Sequence, residues 1–401
     1  MHHDHHMTMT VTTTIIATSG LLITLPCAGD VLLVPEEHAT VQEAMKAAAP
    51  GDTIDLAAGI WTNQQVWGLS GVTLRGRDDP EGTTIIDGSQ HGWSPVVCYG
   101  EPCTIENITF RNGVGSNVYG LVRGGAIYAE FTQITIRNCR FESNHVEMNE
   151  FDFGAIGGAI CGFYSDLLIE GCDFKGNHSD EFGGAVYSTS ASMLEITNCS
   201  FTDNQAQMYG GGIATGSTSM LVASCMFNGN FAGAYGAGIY SLGNQNDPSG
   251  HTSEIINCIF RRNDASWAGY GMGGGIAIQY PQTMNVTNSV FEDNYGYVAG
   301  AICGGDTSGG TVTLSSSTLC GNSLNDLWGD VVDDGTNTFQ QSCWCSADAD
   351  NDGIVAVGDL LTVIGSWNSF NPDADTTNDG FINVEDLLDV ISAWGRECSG
   401  T

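Results

Sequence analysis

A phenylalanine followed three residues later by an asparagine recurs through the middle of this 401-residue chain. Six copies fit the pattern, from Phe141-Glu-Ser-Asn144 to Phe291-Glu-Asp-Asn294. A short polar residue stands three positions before each phenylalanine, and the residue after it is usually a cysteine. Less complete copies around Phe110 and Leu319 bring the number to eight, 26 to 33 residues apart. A repeat of this length predicts a solenoid, in which each unit stacks on its neighbours.

Apolar residues alternate with other residues ahead of each phenylalanine, as in Ile134 and Ile136. A period of two over four or five residues is typical of a strand with one buried face. A glycine-led strand such as Gly124-Gly-Ala-Ile127 follows each copy. Two or three strands per repeat, without a helical period, predict one coil of a parallel β-helix, in which each strand pairs with its equivalent in the next coil.

Equivalent residues of successive coils are expected to form columns. The phenylalanines and the alternating Ile and Leu residues should fill the interior. We predict an asparagine ladder at a bend, because asparagine tolerates the left-handed backbone, formed by Asn107, Asn138, Asn198, Asn257 and Asn288. Residues 39–52 predict one amphipathic helix, ended by Pro50-Gly51, that covers the open first coil.

Fourteen cysteines in an exported chain would first suggest disulfides. Five of them occupy one inward column, where side chains in register are too far apart for an unstrained bridge, so we predict buried free thiols: Cys139, Cys172, Cys199, Cys225 and Cys258. Better candidates for disulfides are Cys98 with Cys103, and Cys343, Cys345 or Cys398.

The helix, the following Gly-Asp-Thr-Ile54, and the phrases Gly71-Val-Thr-Leu74 and Thr84-Ile-Ile-Asp87 resemble those of pectin-lyase-like proteins. The paired Gly-Gly-Ala-Ile and Phe-x-x-Asn phrases resemble the repeats of chlamydial polymorphic outer-membrane proteins. The resemblance covers about residues 31–343 and implies an all-β, right-handed parallel β-helix with an N-terminal capping helix. It implies no activity, because one fold supports many functions.

Two acidic loops lie near the C-terminus, 27 residues apart. Each places oxygen donors at alternate loop positions and a glycine at position 6, the arrangement that wraps a loop around Ca²⁺. The predicted ligands, including a backbone carbonyl at position 7, are Asp348, Asp350, Asp352, Ile354 and Asp359 in loop one, and Asp375, Thr377, Asp379, Phe381, Asn383 and Asp386 in loop two. Each loop leads into a helix with matching residues, which favours a duplicated calcium-binding unit.

This duplicated loop and helix resembles a type I dockerin, a small all-α module that binds Ca²⁺ and a cohesin domain. The resemblance covers residues 348–394. Ala356 stands where an oxygen donor is common, and Val357-Gly358 and Val384-Glu385 replace the small hydroxyl pair that contacts cohesin. The resemblance therefore implies Ca²⁺ as the cofactor and leaves recognition of a cohesin-like partner open.

The first residues predict an export signal, with an apolar stretch at 11–25 and small residues before Asp30. We therefore divide the chain into a signal peptide at 1–29, a β-helix at 30–343 and a dockerin-like domain at 344–401. No later segment is apolar enough to span a membrane. The net charge of −35 disfavours nucleic acid as a partner. The expected location is extracellular or at the cell surface.

The sequence offers few residues for catalysis. The best constellation is two histidines near acids at matching points of successive coils: His145, Glu147, His178, Asp180 and Glu181. Stacked histidines beside carboxylates could carry out acid–base chemistry, although a solvated turn explains them better. The same turns carry aromatic residues that could stack on sugar rings or pack on one another: Tyr209, Tyr235, Trp267, Tyr270, Tyr295 and Tyr297.

The favoured hypothesis is a non-catalytic surface or matrix protein. Its β-helix would bind glycans or mediate adhesion, and its calcium module would attach it. The alternative is a polysaccharide lyase or glycoside hydrolase that acts in polysaccharide catabolism within a cohesin–dockerin assembly.

Overall fold

The computed structural model describes most of the chain after residue 28. The described residues are 29–62, 64–77, 82–89, 92–149, 154–191, 193–244, 251–266, 271–305, 309–340, 347–350, 354–367, 371, 374–377 and 381–395. The predicted signal peptide lies outside them apart from Gly29, as do Cys343, Cys345 and Cys398. Within the described part of the chain, no helix is long and apolar enough to cross a membrane.

Three long sheets run the length of the β-helix. Sheet A has 12 strands: Val31–Val34, Thr53–Leu56, Thr73–Gly76, Cys103–Glu106, Gln133–Arg137, Asp166–Glu170, Met193–Thr197, Ser219–Ala223, His251–Ile256, Gln282–Thr287, Thr311–Ser315 and Val331–Asp333. Sheet B has 11 strands: Gly59–Thr62, Thr84–Asp87, Ile108–Arg111, Arg140–Glu142, Asp173–Lys175, Ser200–Thr202, Met226–Asn228, Ile259–Arg261, Val290–Glu292, Thr318–Cys320 and Thr338–Gln340. Sheet C has 10 strands: Val66–Leu69, Val96–Tyr99, Ile127–Glu130, Ile160–Phe163, Val186–Thr189, Ile213–Gly216, Ile239–Leu242, Ile276–Gln279, Ile302–Cys303 and Leu327–Trp328.

Two smaller sheets accompany them. A narrow one has 6 strands: His145–Val146, His178–Ser179, Gln205–Ala206, Phe231–Ala232, Asp264–Ala265 and Tyr295–Gly296. Another has 3 strands: Ser116–Val118, Leu121–Arg123 and Gly154–Ile156. Its first two strands form an antiparallel hairpin.

Pairing along the long sheets is parallel and joins equivalent residues of successive coils. Phe141 pairs with Phe174, and Phe174 pairs with Phe201. Strands that meet their own equivalents one repeat later define a parallel β-helix. The fold expected from the repeat is confirmed.

A short helix, α1 (Val41–Ala47), covers the first coils. The Thr40 hydroxyl accepts a hydrogen bond from the Glu43 backbone N–H at 3.2 Å and caps the helix N-terminus. Its buried face consists of Val41 and Ala44. Two further helices, α2 (Val357–Gly365) and α3 (Val384–Ser392), lie in the C-terminal part of the chain.

The phenylalanine column fills the interior. Seven rings, from Phe110 to Phe291, are fully buried and stack with centroids 4.7 to 5.4 Å apart and planes within 10° of parallel. Leu319 pairs with Phe291 and continues the column. Each central ring therefore contacts one aromatic neighbour above and one below.

The asparagine ladder lies at a different column from the predicted one. The predicted residues, such as Asn138 and Asn198, do adopt the left-handed backbone, but they are exposed. The hydrogen-bonded ladder runs through the asparagine of each Phe-x-x-Asn copy. Asn177 Nδ2 donates to Asn204 Oδ1 at 2.9 Å and to the Phe141 carbonyl at 2.9 Å. Burial explains the difference, because an amide that is shielded from water must find its partners within the protein.

The column cysteines are buried and free, as predicted. They also form hydrogen bonds, which a purely apolar role would not require. The Cys172 N–H donates to Cys199 Sγ at 3.3 Å, and the Cys172 thiol donates to the Glu170 carbonyl at 3.3 Å. The proposed Cys98–Cys103 disulfide is wrong, because both thiols are free and pack among the apolar side chains of the core.

Candidate functional site

Exposed aromatic side chains line one side of the low-numbered coils. We call Trp67, Tyr99, Tyr119, Phe131 and Tyr164 the aromatic strip, and each exposes at least 49% of its surface. The Tyr99 and Phe131 ring centroids are 6.1 Å apart, and those of Phe131 and Tyr164 are 5.1 Å apart in parallel planes. The first three residues also line a groove of about 510 Å³. A continuous exposed aromatic surface of this kind is typical of a binding site.

Three residues of the strip occupy the left-handed region of backbone space. The φ angles of Tyr119, Phe131 and Tyr164 are 53°, 52° and 51°. Bulky residues rarely adopt this conformation, which costs them roughly 1–2 kcal/mol. Tyr119 and Gly120 form the two-residue turn of the hairpin, where Asn-Gly is the usual pair. The turn thus presents a tyrosine that is 91% exposed, although asparagine would suit the backbone better. Strain of this kind concentrates at functional sites.

Tyr128 lines the groove, and a buried arginine is hydrogen-bonded to it. Arg123 Nη1 donates to the Tyr128 hydroxyl oxygen at 2.6 Å, and the guanidinium lies 4.5 Å from the Phe163 ring centroid. Arg123 is 5% exposed and also lies 4.0 Å from the Glu130 carboxylate. Among the nine described residues that line the groove, Glu130 is the only charged one.

In later coils, turn residues cover the outer face of sheet C. Phe182, Tyr209, Tyr235 and Met272 are joined by backbone bridges into a second apolar layer. Two of these were predicted to bind glycans, and both are half-buried: the Tyr209 and Tyr235 rings stack at 5.2 Å, and Tyr209 lies 4.8 Å from the Tyr240 ring. Packing between coils therefore occupies these two rings.

The other predicted glycan-binding aromatics lie elsewhere. Tyr295 belongs to the narrow sheet, and both it and Tyr297 are exposed. Trp267 and Tyr270 lie outside the described residues.

Three of the predicted catalytic residues, His145, His178 and Asp180, lie together at the narrow sheet. His145 pairs with His178, as their matching positions predict. The Asp180 carboxylate accepts hydrogen bonds from the Met148 N–H at 2.8 Å and from the Gln207 side chain, and it contacts His178 Nε2 at 3.1 Å. It thereby links three successive coils.

The two remaining catalytic candidates differ in environment. Glu147 is exposed. Glu181 is half-buried, and burial raises the pKa of its carboxyl group above the ordinary value. A carboxyl group with a raised pKa would suit a general acid.

The first acidic loop brings three of the predicted calcium ligands together. Carboxylate oxygens of Asp348, Asp350 and Asp359 lie within 4.8 Å of one another. Asp359 is fully buried, and its oxygens accept the Asp350 N–H at 3.1 Å and the Ala356 N–H at 2.7 Å. Ile354 occupies position 7 with an exposed side chain, whereas Asp352 lies outside the described residues.

Loop two repeats this geometry. Asp386 is fully buried, and it accepts the Thr377 N–H at 3.0 Å and the Asn383 N–H at 2.8 Å, the equivalents of the two bonds in loop one. Among the described residues, neither Asp359 nor Asp386 has a basic side chain within 4 Å. A buried carboxylate requires a compensating cation, so the residues present fit a hard divalent ion.

The remaining loop-two ligands are only partly described. Asp375 is half-buried, and Phe381 occupies position 7 with an exposed side chain. Asp379 lies outside the described residues.

Helices α2 and α3 each expose an apolar row. The rows match residue for residue at a spacing of 27, and every member exposes at least 41% of its surface: Val357, Leu361, Ile364 and Trp367 on and just after α2, and Val384, Leu388, Ile391 and Trp394 on and just after α3. Their buried counterparts Val363 and Val390 form the core between the helices. An exposed apolar surface of this extent is typical of a protein interface.

The aromatic strip escaped the sequence analysis because its residues lie outside the Phe-x-x-Asn pattern. One signal could have revealed part of it. Phe131 and Tyr164 each stand just after a glycine-led strand and are separated by one repeat, 33 residues. The hairpin that carries Tyr119 interrupts the repeat and has no such signal.

Residues 132–323 match a protein-family model described as a right-handed β-helix region. Solved structures to which the chain is similar include pectate lyase Pel9A, at 14% identity and a TM-score of 0.42, with 86% of this chain and 83% of that chain covered. A rhamnogalacturonan lyase is 13% identical with a TM-score of 0.40 and coverages of 92% and 100%. PfbA, a surface adhesin of Streptococcus pneumoniae, is 13% identical with a TM-score of 0.31 and coverages of 75% and 86%. No curated protein matches the chain. The matched family and the parallel pairing establish a right-handed parallel β-helix.

Proposed function

We propose that this is a secreted, surface- or matrix-associated protein that binds a glycan at the aromatic strip. The observation that carries the proposal is the row of exposed rings beside a groove that a short saccharide would fill. Phe131 and Tyr164 stack in parallel 5.1 Å apart, and Tyr99 meets Phe131 edge to face at 6.1 Å. Aromatic faces suit the C–H surfaces of sugar rings, and polar groups at the edge of the groove fix their orientation. Tyr119, which lines the groove, is held 91% exposed on its left-handed backbone.

The favoured ligand is an uncharged glycan. The chain carries a net charge of −35, so an acidic polysaccharide would be repelled, and Glu130, whose carboxylate lies 4.0 Å from Arg123, brings no positive charge to the groove. The nearest guanidinium, that of Arg123, is buried and already donates to Tyr128.

Tyr119→Asn provides the sharpest test. Asparagine suits a left-handed turn before glycine, so the variant should fold at least as well as the natural chain. Loss of an exposed aromatic anchor should weaken binding by about tenfold. Affinity electrophoresis in gels with β-glucan, mannan or polygalacturonate measures retardation directly.

Tyr297→Ala is the control, because it removes an exposed tyrosine from the high-numbered coils, although Tyr297 exposes 54% of its surface and Tyr119 91%. If Tyr297→Ala loses retardation and Tyr119→Asn keeps it, the glycan binds at the turns predicted from the sequence and not at the aromatic strip. Stronger binding to polygalacturonate than to the neutral polymers would contradict the uncharged ligand.

We further propose that the two acidic loops bind Ca²⁺ and that the module attaches the protein to a cohesin-like partner. The fully buried Asp359 and Asp386 support the first part, and the duplicated apolar rows of α2 and α3 support the second. When bound, Ca²⁺ would neutralise the crowded carboxylates of each loop. Calorimetry of the full chain after EDTA treatment should detect two calcium sites, and Asp359→Asn should weaken one of them.

A polysaccharide lyase or glycoside hydrolase remains the second candidate function. The raised pKa of Glu181 beside Asp180 and His178 favours it. Turnover of any glycan on a broad panel, lost in Glu181→Gln with binding retained, would establish the enzyme.

A further inference from the structure

One Phe-x-x-Asn copy differs from the others at its turn. It reads Phe260-Arg-Arg-Asn263. The second intervening residue adopts a left-handed backbone in every copy, and elsewhere it is small or acidic: Ser143, Gly176, Asp203, Gly229 and Asp293. Arg262 has a φ of 51° at this position. This backbone is unfavourable for any residue with a Cβ, and favourable contacts of the side chain can offset that cost.

The compensating contacts are made with the calcium module. Arg262 Nη2 donates to Asp389 Oδ1 at 2.8 Å, and Asp389 is 7% exposed. Arg261 is 1% exposed; its Nη1 donates to the Thr376 carbonyl at 2.9 Å and its Nη2 to Glu292 Oε1 at 3.1 Å. We call Arg261 and Arg262 the arginine clamp.

The clamp holds both ends of calcium loop two. Thr376 lies between the predicted ligands at positions 1 and 3, Asp375 and Thr377. Asp389 lies on α3, one helical turn beyond the position-12 ligand Asp386. The β-helix therefore fixes the backbone where the loop begins and the helix where it ends.

We infer that the arginine clamp couples calcium binding at loop two to docking of the module on the β-helix, an inference that rests on the proposed calcium sites. Fixing a loop in its bound conformation lowers the entropic cost of binding. The two positive charges do not oppose the ion, because Glu292 and Asp389 neutralise them. Coupling between two binding events is reciprocal, so calcium also strengthens docking.

Arg262→Ser in the full chain tests the coupling, because serine occupies the equivalent turn at Ser143. Asp389→Asn removes the same ion pair from the module side. Arg140→Ser is the control, since Arg140 forms a solvent-exposed pair with Asp173 on sheet B at 3.4 Å. Calcium calorimetry and small-angle X-ray scattering, with Ca²⁺ and with EDTA, are measured on all four proteins.

We expect the dissociation constant of one of the two calcium sites to rise about fivefold or more in Arg262→Ser and Asp389→Asn. The other site and the control should keep natural affinities. EDTA should lengthen the natural protein in scattering as the module separates, and Arg262→Ser should be longer even with Ca²⁺. Equal affinities in all four proteins, or scattering insensitive to EDTA, would overturn the coupling while leaving the calcium sites in place. Absence of calcium binding in the natural protein would overturn both, and glycan retardation is independent of either result.

Discussion

Replacing Phe201 with alanine should destabilise the β-helix by about 4–5 kcal/mol, the upper part of the range for a buried Phe-to-Ala change. The ring is fully buried and stacks on Phe174 at 4.7 Å and on Phe227 at 4.8 Å, within 5° of parallel on both sides. Each stacked pair contributes about 0.5–1.5 kcal/mol beyond burial. Hydrogen-bonded coils above and below prevent the cavity from closing.

Phe110→Ala is the matched comparison, because Phe110 stacks on one phenylalanine only, Phe141, at 5.4 Å. It should cost about 1 kcal/mol less than Phe201→Ala. Leu319→Ala, near the end of the column, should cost about 2–3 kcal/mol. Urea unfolding followed by far-ultraviolet circular dichroism gives the free energies of unfolding, and calorimetry checks whether the coils unfold together. Equal losses for Phe110 and Phe201 would show that stacking adds nothing to burial.

Three further outcomes are expected. Thiol reagents at pH 8 should label neither Cys161 nor Cys172. Burial raises the pKa of the Cys161 thiol to about 12 and also raises the pKa of the Cys172 thiol. Mass spectrometry measures the labelling, and rapid labelling of either cysteine would show that the coils open. Asn204→Ala should destabilise the chain by about 2–3 kcal/mol, since it removes the acceptor of the Asn177 backbone N–H and of one Nδ2 N–H, and the donor to the Phe174 carbonyl. The exposed Asn198→Gly should be neutral or stabilising in the same urea assay. Tyr235→Ala should cost more than about 1 kcal/mol, because its ring stacks between coils; a smaller loss would show that the ring is free to bind sugar.

The repeat predicted the coils well because buried columns impose the same residue types once per turn. Phe141 and Phe174 occupy equivalent interior positions, so their spacing reports the coil length directly. The wrong asparagine column was predicted although the sequence held a signal. Gly171 and Ser224 replace asparagine in two coils of the predicted column, whereas the buried column that includes Asn144 has asparagine in all six Phe-x-x-Asn copies.

The functional surfaces depend on tertiary structure that the repeat does not contain. Tyr119 is exposed because a hairpin leaves the coil at that point, and Arg261 is buried because a distant module packs over it. Sequence spacing did bring together the ligands of loop one, since Asp348, Asp350 and Asp359 lie within one local loop. Local chemistry was therefore predictable, and contacts between separate parts of the chain were not.

Because every coil contributes one residue to each column, the β-helix can be shortened or lengthened by one whole coil at a time. Removing residues 139–171 would join Asn138 directly to Cys172 and bring Phe174 onto Phe110, with the phenylalanine, asparagine and cysteine columns all still in register. Duplication of the same segment would lengthen the rod without a new core. Homologues of this protein are accordingly expected to differ by whole coils, and to carry the aromatic strip and the arginine clamp at different distances from each other along the rod.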